Sequence, residues 1–287
     1  MIEPVSTLSF RRALQSAARR LCGQADGKSQ QRLRDLLDPQ PSFDPVAVKK
    51  FQKPAPPFVL KPLSAHRVDL DAGDVIPLEV LFVGHGVTLI DEFCSLLDIL
   101  GGMGLTEGDG SFEVCLVESL GLTGSVRTLW RENAGVKQFA PEIFSAEAFL
   151  AQAEWPKTQI TLKFVTPTRL IQSGRLLRQP HFADLLPFMF RRVTSQCHAH
   201  AHLELTDDPQ QVLGLIHQVH QLSARWEWVD WRGVGHRPLE TIGGFSGALV
   251  LEGPGLDGLY WIISLASLLG LGKWATYGAG HYQLCPG

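Results

Sequence analysis

The chain has 287 residues, 45% of them hydrophobic and 19% charged, which is enough apolar material for two ordinary cores and excludes a disordered or low-complexity protein. A formal net charge of −3 excludes recognition of a polyanion by overall charge, so any nucleic-acid contact must come from local basic patches. The five cysteines, Cys22, Cys94, Cys115, Cys197 and Cys285, form no Cys-x-x-Cys pair; this points to a reducing, cytoplasmic compartment without a disulfide framework or a cysteine-only zinc site.

The opening residues lack the apolar run and cleavage site of a leader peptide. Val5 to Phe10 reads as a short strand and Arg11 to Cys22 as a helix. Phe10, Leu14, Ala17, Ala18 and Leu21 share one face of that helix, with Arg12 and Arg19 opposite. The polar run 23–31 and the proline-rich stretch 38–57 read as irregular, extended surface. Residues 78–117 and 247–284 then repeat one pattern: apolar strand, Gly-x-Gly turn, apolar helix, glycine-rich loop, strand. Gly84 and Gly86 stand where Gly253 and Gly255 stand. Gly101 follows Gly84 by 17 residues, as Gly270 follows Gly253, and Gly108/Gly110 correspond to Gly278/Gly280. Between the repeats, 159–167 alternates as a strand, helices are expected over 181–196 and 208–222, and 226–231 alternates again. The apolar stretch Leu259 to Leu271 is too short to span a bilayer, so no membrane partner is expected. Each half reads βαββαβ. The fold class is therefore α+β, two tandem ferredoxin-like domains over 1–150 and 151–287, joined within 132–157.

The terminal loop has the spacing GΦGxxxxxGΦG over Gly270, Gly272, Gly278 and Gly280, with Lys273 inside and His281 following. Paired glycines permit close backbone approach, and successive N–H groups can form an anion-binding concavity beside a lysine charge. The alternative is that these glycines only end a helix and start a strand.

With the duplication, this loop resembles the signature of the RAMP superfamily, and within it the endoribonucleases that process CRISPR precursor RNA. Residues 56–63, PPFVLKPL, and 166–192, TPTRLIQSGRLLRQPHFADLLPFMFRR, resemble further segments of those proteins. The resemblance implies metal-independent cleavage without cofactors. The RNA's own 2′-hydroxyl attacks the adjacent phosphate, giving a 2′,3′-cyclic phosphate. It also implies that the product stays bound through a repeat stem-loop and joins other CRISPR effector subunits. Family members often carry a catalytic histidine early in the first domain, whereas residues 1–55 here contain none. A non-catalytic RNA-binding subunit with the same fold is thus the alternative, and a ferredoxin-like binder of small molecules is a third reading.

Two stretches are locally basic: 10–35, with Arg11, Arg12, Arg19, Arg20, Lys28, Arg32 and Arg34, and 161–192, with Lys163, Arg169, Arg175, Arg178, Arg191 and Arg192. Arg12, Arg19 and Arg20 are candidates for stabilising the transition state, with RNA binding alone as the other role. His66, the first histidine in the chain, is the candidate acid or base. The expected RNA contacts are Arg169, Arg175, Arg178, Arg191, Arg192, Gly270, Gly272, Lys273, Gly278, Gly280 and His281. His85 reads as a turn residue. Cys197, His198, His200 and His202 would put three histidines on one face of an extended strand, near His217 and His220 in sequence, but no familiar zinc spacing is present and no metal is expected. Of Trp226, Trp228 and Trp231, most are expected in the core.

Overall fold

The helical periodicity at the N-terminus runs one turn further back than expected. In the computed structural model, which describes residues 7–23, 26–51, 53–62, 72–105, 110–132, 140–152, 159–206, 208–231 and 242–286, Thr7–Cys22 forms α1. Phe10, Leu14, Ala17 and Ala18 are buried along it, and Phe10 meets Phe112 with ring centroids 6.5 Å apart. Phe10 belongs to the apolar helix face, so residues 7–10 are helical and not the expected strand; residues 5 and 6 lie outside the described residues. The polar run that reads as irregular also enters a helix, α2 (Gly27–Leu37). Its cap is Asp26, whose carboxylate accepts the Ser29 amide at 2.8 Å. Within 38–57, Asp44 caps a short α3 (Pro45–Lys50) with proline at its first position, so that stretch is not uniformly extended.

β1 (Phe58–Leu60) pairs antiparallel with β2 (Val80–Phe82), a 3-10 turn covers Gly84–Leu89, and α4 (Ile90–Met103) follows. The order α1-β1-β2-α4 is the αββα middle of the expected βαββαβ unit. Its core is Leu14, Ala17, Leu33, Leu36, Phe58, Leu60, Phe93, Leu96 and Leu100. Burying each leucine contributes roughly 1.5–3 kcal/mol. The strand expected to end this repeat starts later, as β3 (Leu116–Leu120), and pairs with β4 (Val126–Arg131) in a separate hairpin. α5 (Ala146–Gln152) spans the position where the sequence divides the domains.

The second unit has every element of its class. β5 (Gln159–Thr168) is followed by a small hairpin of β6 (Ile171–Gln172) and β7 (Arg175–Leu176), then α6 (Phe182–Ala201), α7 (Pro209–Gly214), β8 (His220–Trp231), β9 (Ile242–Glu252), α8 (Gly255–Leu269) and β10 (Tyr282–Pro286). The sheet order β10-β5-β9-β8, antiparallel throughout, is the ferredoxin-like order. Ile160, Leu162 and Phe164 of β5 face Leu185, Met189, Leu259, Ile262 and Ile263 of the two long helices. The helix expected over 208–222 stops at Gln218, because from His220 onward the chain is held in the ladder with β9. α5 leans on this unit, where the Tyr260 hydroxyl donates to the Leu150 carbonyl at 2.9 Å.

The duplication is visible in backbone conformation, with one shift. α4 ends at Gly104 with φ 79° and ψ 157°, and α8 ends at Gly270 with φ 66° and ψ 165°. The next residue, Leu105 or Leu271, donates its amide to the carbonyl of Gly110 or Gly280. Gly104, not Gly101, is therefore the counterpart of Gly270. Gly110 and Gly280 correspond as expected, while Gly108 lies outside the described residues.

A Cβ at Gly280 would overlap the Leu271 carbonyl, and φ there is +63°. Gly280→Ala is expected to lower unfolding free energy by about 3 kcal/mol or more, and Gly174→Ala, at φ +78° in open space, by about 1 kcal/mol. Chemical denaturation of the two variants side by side checks the difference.

Candidate nucleic-acid interface

The glycine-rich loop is chiefly a clasp between the two units. Its Tyr277 is buried in the first unit's core, edge-on to Phe58 with ring centroids 6.0 Å apart, and Ala279 lies beside it. Burial pushes the Tyr277 phenol up to about 12. The loop's amides are consumed by carbonyls: Leu271 by Gly280, Lys273 by Arg169, Gly278 by Ala275 and Gly280 by Pro167. Thr166 donates its hydroxyl to the Gly278 carbonyl at 2.9 Å and accepts the His281 amide at 2.8 Å. Gly270, Gly278 and Gly280 are buried, so they form no phosphate-binding nest. Their conformational freedom serves close packing instead. Of the expected loop contacts, only Gly272 and Lys273 are exposed.

Around that exposed corner runs a seam of cations and indoles. Lys273 Nζ lies 4.6 Å from the ring centroid of Trp274, and the Arg11 guanidinium of α1 lies 5.1 Å from it. Trp274 takes a left-handed conformation, φ 66°, to hold this position. Arg12, Arg19 and Arg20 are exposed along the outward side of α1. In the other direction, the Arg169 carbonyl accepts the Lys273 amide at 3.0 Å, and its guanidinium donates to the Gly243 carbonyl at 3.1 Å. Beyond it the Arg178 guanidinium covers the Trp228 ring at 4.5 Å, and Arg175 is exposed on the β6–β7 hairpin. Both basic stretches thus reach one surface band. Across the sheet's open face, Gln283, Lys163, Ala248 and Arg225 form one cross-strand row, with both cations exposed.

Several expected contacts fall elsewhere. Arg192 is half-buried, donating from Nη2 to the Leu269 carbonyl at 3.1 Å; desolvation pulls its pKa down to about 10, and its guanidinium is engaged at the end of α8 instead of on the band. Arg191 is exposed on α6, its guanidinium 5.7 Å from the Phe188 ring. Arg32 is spent on Glu92 and the Thr88 carbonyl, tying α2 to α4. His66 lies outside the described residues. His281 is half-buried, and burial with the nearby Lys61 charge pulls its pKa down to about 4. Lys61 is not singled out in the sequence. It is largely buried, lowered to about 8 by desolvation, and donates to the Leu268 carbonyl at 2.9 Å. Lys61 and Arg192, from different units, thus hold the last carbonyls of α8 where the loop begins, a placement that also suits the helix dipole. Only the tertiary contact identifies them.

The expected histidine strand is the end of a helix. α6 continues to Ala201, so Arg192, Gln196 and His200 recur at four-residue spacing on one inner face. Gln196 donates to the Pro56 carbonyl at 3.2 Å and His200 Nε2 to Ala55 at 2.8 Å, stitching α6 to the segment before β1. His85 Nδ1 donates to the His200 carbonyl at 3.2 Å, and His198 stacks on Phe51 at 4.0 Å. Among the described residues no group of three or more His, Cys, Asp or Glu is placed to hold a metal. A cavity of about 650 Å³ beside α4 is lined by Asp98, Glu113 and Glu132, charges that oppose a phosphate backbone. No described helix is long and apolar enough to cross a membrane.

Comparison with known proteins bears on the same regions. The family model of the CRISPR-associated endoribonuclease Cas6 matches residues 162–282. A second family model, of an N-terminal domain, matches residues 7–142. The product complex of the Thermus thermophilus Cas6 TTHB231 is similar over 99% of this chain and 96% of that one, with 18% identity and a TM-score of 0.53. The product complex of the Cas6 TTHA0078 is similar over 99% and 95%, with 14% identity and a TM-score of 0.51. At such identities the likeness is one of fold, tandem ferredoxin-like and α+β. No curated protein sequence matches the chain.

His200 and His281 both sit at about 4 in the folded protein against 6.5 for an exposed histidine, because burial disfavours their charged forms. The unfolded chain takes up these protons near 6.5 and the folded chain only near 4. Their neutral forms thus cost nothing above that window, and stability falls as pH drops from about 6.5 toward 4. Urea midpoints measured across the window should decrease steadily, and His200→Gln should flatten the slope.

Proposed function

We propose that this chain, whose residues 162–282 match the Cas6 endoribonuclease family model, is an endoribonuclease of that kind, and that it binds the repeat of a CRISPR precursor transcript and cuts it without a metal ion. The observation that carries this reading is the seam Arg12–Arg11–Trp274–Lys273–Arg169–Arg178, in which Arg12, Lys273 and Arg178 are exposed and the others half-buried, and which joins helix α1 of the first unit to the sheet end of the second. A folded RNA laid on it meets guanidinium groups suited to phosphate and indoles suited to unpaired bases. Net charge is the wrong measure here, since the cations are gathered on one band.

In the reaction, the 2′-hydroxyl beside the scissile phosphate attacks phosphorus while the bond to the departing 5′-oxygen breaks. The products are a 2′,3′-cyclic phosphate and a 5′-hydroxyl end. The nucleophile belongs to the substrate, so positioning supplies much of the rate. Arg12, Arg19 and Arg20 are assigned to the charge that grows on the phosphorane, because their guanidinium groups stay ionised and stand exposed on one side of α1. His66 is assigned the proton transfers. Arg169, Arg175, Arg178, Arg191, Gly272 and Lys273 are assigned to the RNA backbone, and His281, held neutral by burial, to support of the loop. The division near residue 150 separates a first domain that supplies catalytic cations from a second that supplies most binding ones. Retention of the cut repeat through its stem-loop, for transfer to other CRISPR subunits, completes the reading.

The second reading, a binding subunit without cleavage, is favoured by the absence of histidine from residues 1–55. Incubating purified protein with end-labelled repeat RNA in EDTA separates the two. Cleavage at a single position, leaving a cyclic phosphate, is the expected result, and tight binding to intact RNA favours the subunit. His66→Ala should slow cleavage by about 100-fold or more with little change in affinity. Lys273→Ala should weaken binding and reduce the slope of log K against log salt by about 0.7–0.9.

A further inference from the structure

We propose that Trp228, with Arg178 over its ring, is a binding site for one unpaired nucleobase of the RNA. The inference rests on the functional reading above and adds a contact to it. Of the two tryptophans whose side chains are described on β8, Trp226 belongs to the core: its indole donates to the Pro180 carbonyl at 3.1 Å, and it packs edge-on to Phe164 and Phe245. Trp228 takes no part in that core cluster. It is half-buried near the end of the sheet, and its environment holds the ring in place. Nε1 donates to the Asp230 carboxylate at 3.1 Å. Position 243 on the neighbouring strand is glycine, and a Cβ there would stand 2.5 Å from Cζ2 of the indole, so the ring lies close against β9 only because the side chain is missing.

The Gly243 carbonyl that borders this ring also accepts from Arg169, whose own carbonyl accepts the Lys273 amide. The indole is thereby tied to the exposed corner of the loop. A guanidinium on an indole is a plane that a base can extend, since bases stack on arginine and aromatic faces alike. The Asp230 carboxylate that accepts from the indole, on the same sheet face, suits a base with amino donors. The ligand is therefore an unpaired nucleotide next to a stem, with its backbone on Arg169 and Lys273.

The test uses the full chain and two synthetic RNAs: the repeat stem-loop alone and the same stem-loop with a single-stranded flank. Trp228→Ala should weaken binding of the flanked RNA by about 5- to 150-fold and leave the bare stem-loop unchanged. Trp228→Phe should recover most of the loss, which a merely structural role would not predict. Placing 2-aminopurine in turn at each flank position with the wild-type protein should show quenching at one position, a measurement that needs no variant to fold. Equal affinity of Trp228→Ala and wild type for the flanked RNA, or no quenched position, overturns the stacking site alone. Wild-type protein that binds neither RNA overturns the functional reading and this site with it.

Discussion

Tyr277 and Ala279 belong to the second unit by sequence and to the first unit's core by packing. That exchange is the constraint on which the rest of the structure depends. To reach the first core, the loop must pass backbone against backbone, which it does where Gly270, Gly272, Gly278 and Gly280 take positive φ. The path leaves the loop with few amides to offer and one corner exposed, at Gly272 and Lys273. The same glycines that look like a ligand cradle in one dimension are joints in three.

Polar contacts reinforce the joint from both sides. Lys61 of the first unit and Arg192 of the second bind successive carbonyls at the end of α8, while Gln196 and His200 bind the carbonyls ahead of β1. Gln196 and His200 are buried and Lys61 and Arg192 partly so, and burying a charge or an amide is tolerated only when it finds partners. The seam between units is therefore specific in register as well as apolar. It also joins α1 to the loop corner through the packing of Tyr277 and Ala279 in the first core.

The surface band follows from that packing. Arg11 and Lys273 meet on Trp274, and Arg178 meets Trp228, so cations from distant parts of the chain are spaced by indoles instead of repelling one another. Lys273 and Arg178 keep their charges exposed while the rings limit their rotamers. A chain of net charge −3 thereby gathers Arg11, Arg178 and Lys273 beside two indoles.

The sequence by itself determined the duplication, the α+β class, the apolar face of α1 and the composition of the glycine loop. Each of these is written in local periodicity or in residues with special backbone freedom. It also determined that basic residues cluster in 10–35 and 161–192. It misread elements whose state is decided by distant partners. Residues 7–10 are helical because Phe10 packs on Phe112, and the helix expected to run to 222 stops at Gln218 because β9 claims His220 onward. The tertiary structure alone decided which basic residues remain on the surface. Arg192 and Arg191 are neighbours in sequence, yet one is half-buried against the end of α8 and the other is exposed. It likewise separated Trp226 from Trp228, two residues apart on the same strand. The physical reason is the same in each case: a side chain's role depends on what the other unit places beside it, and spacing along one chain does not carry that information.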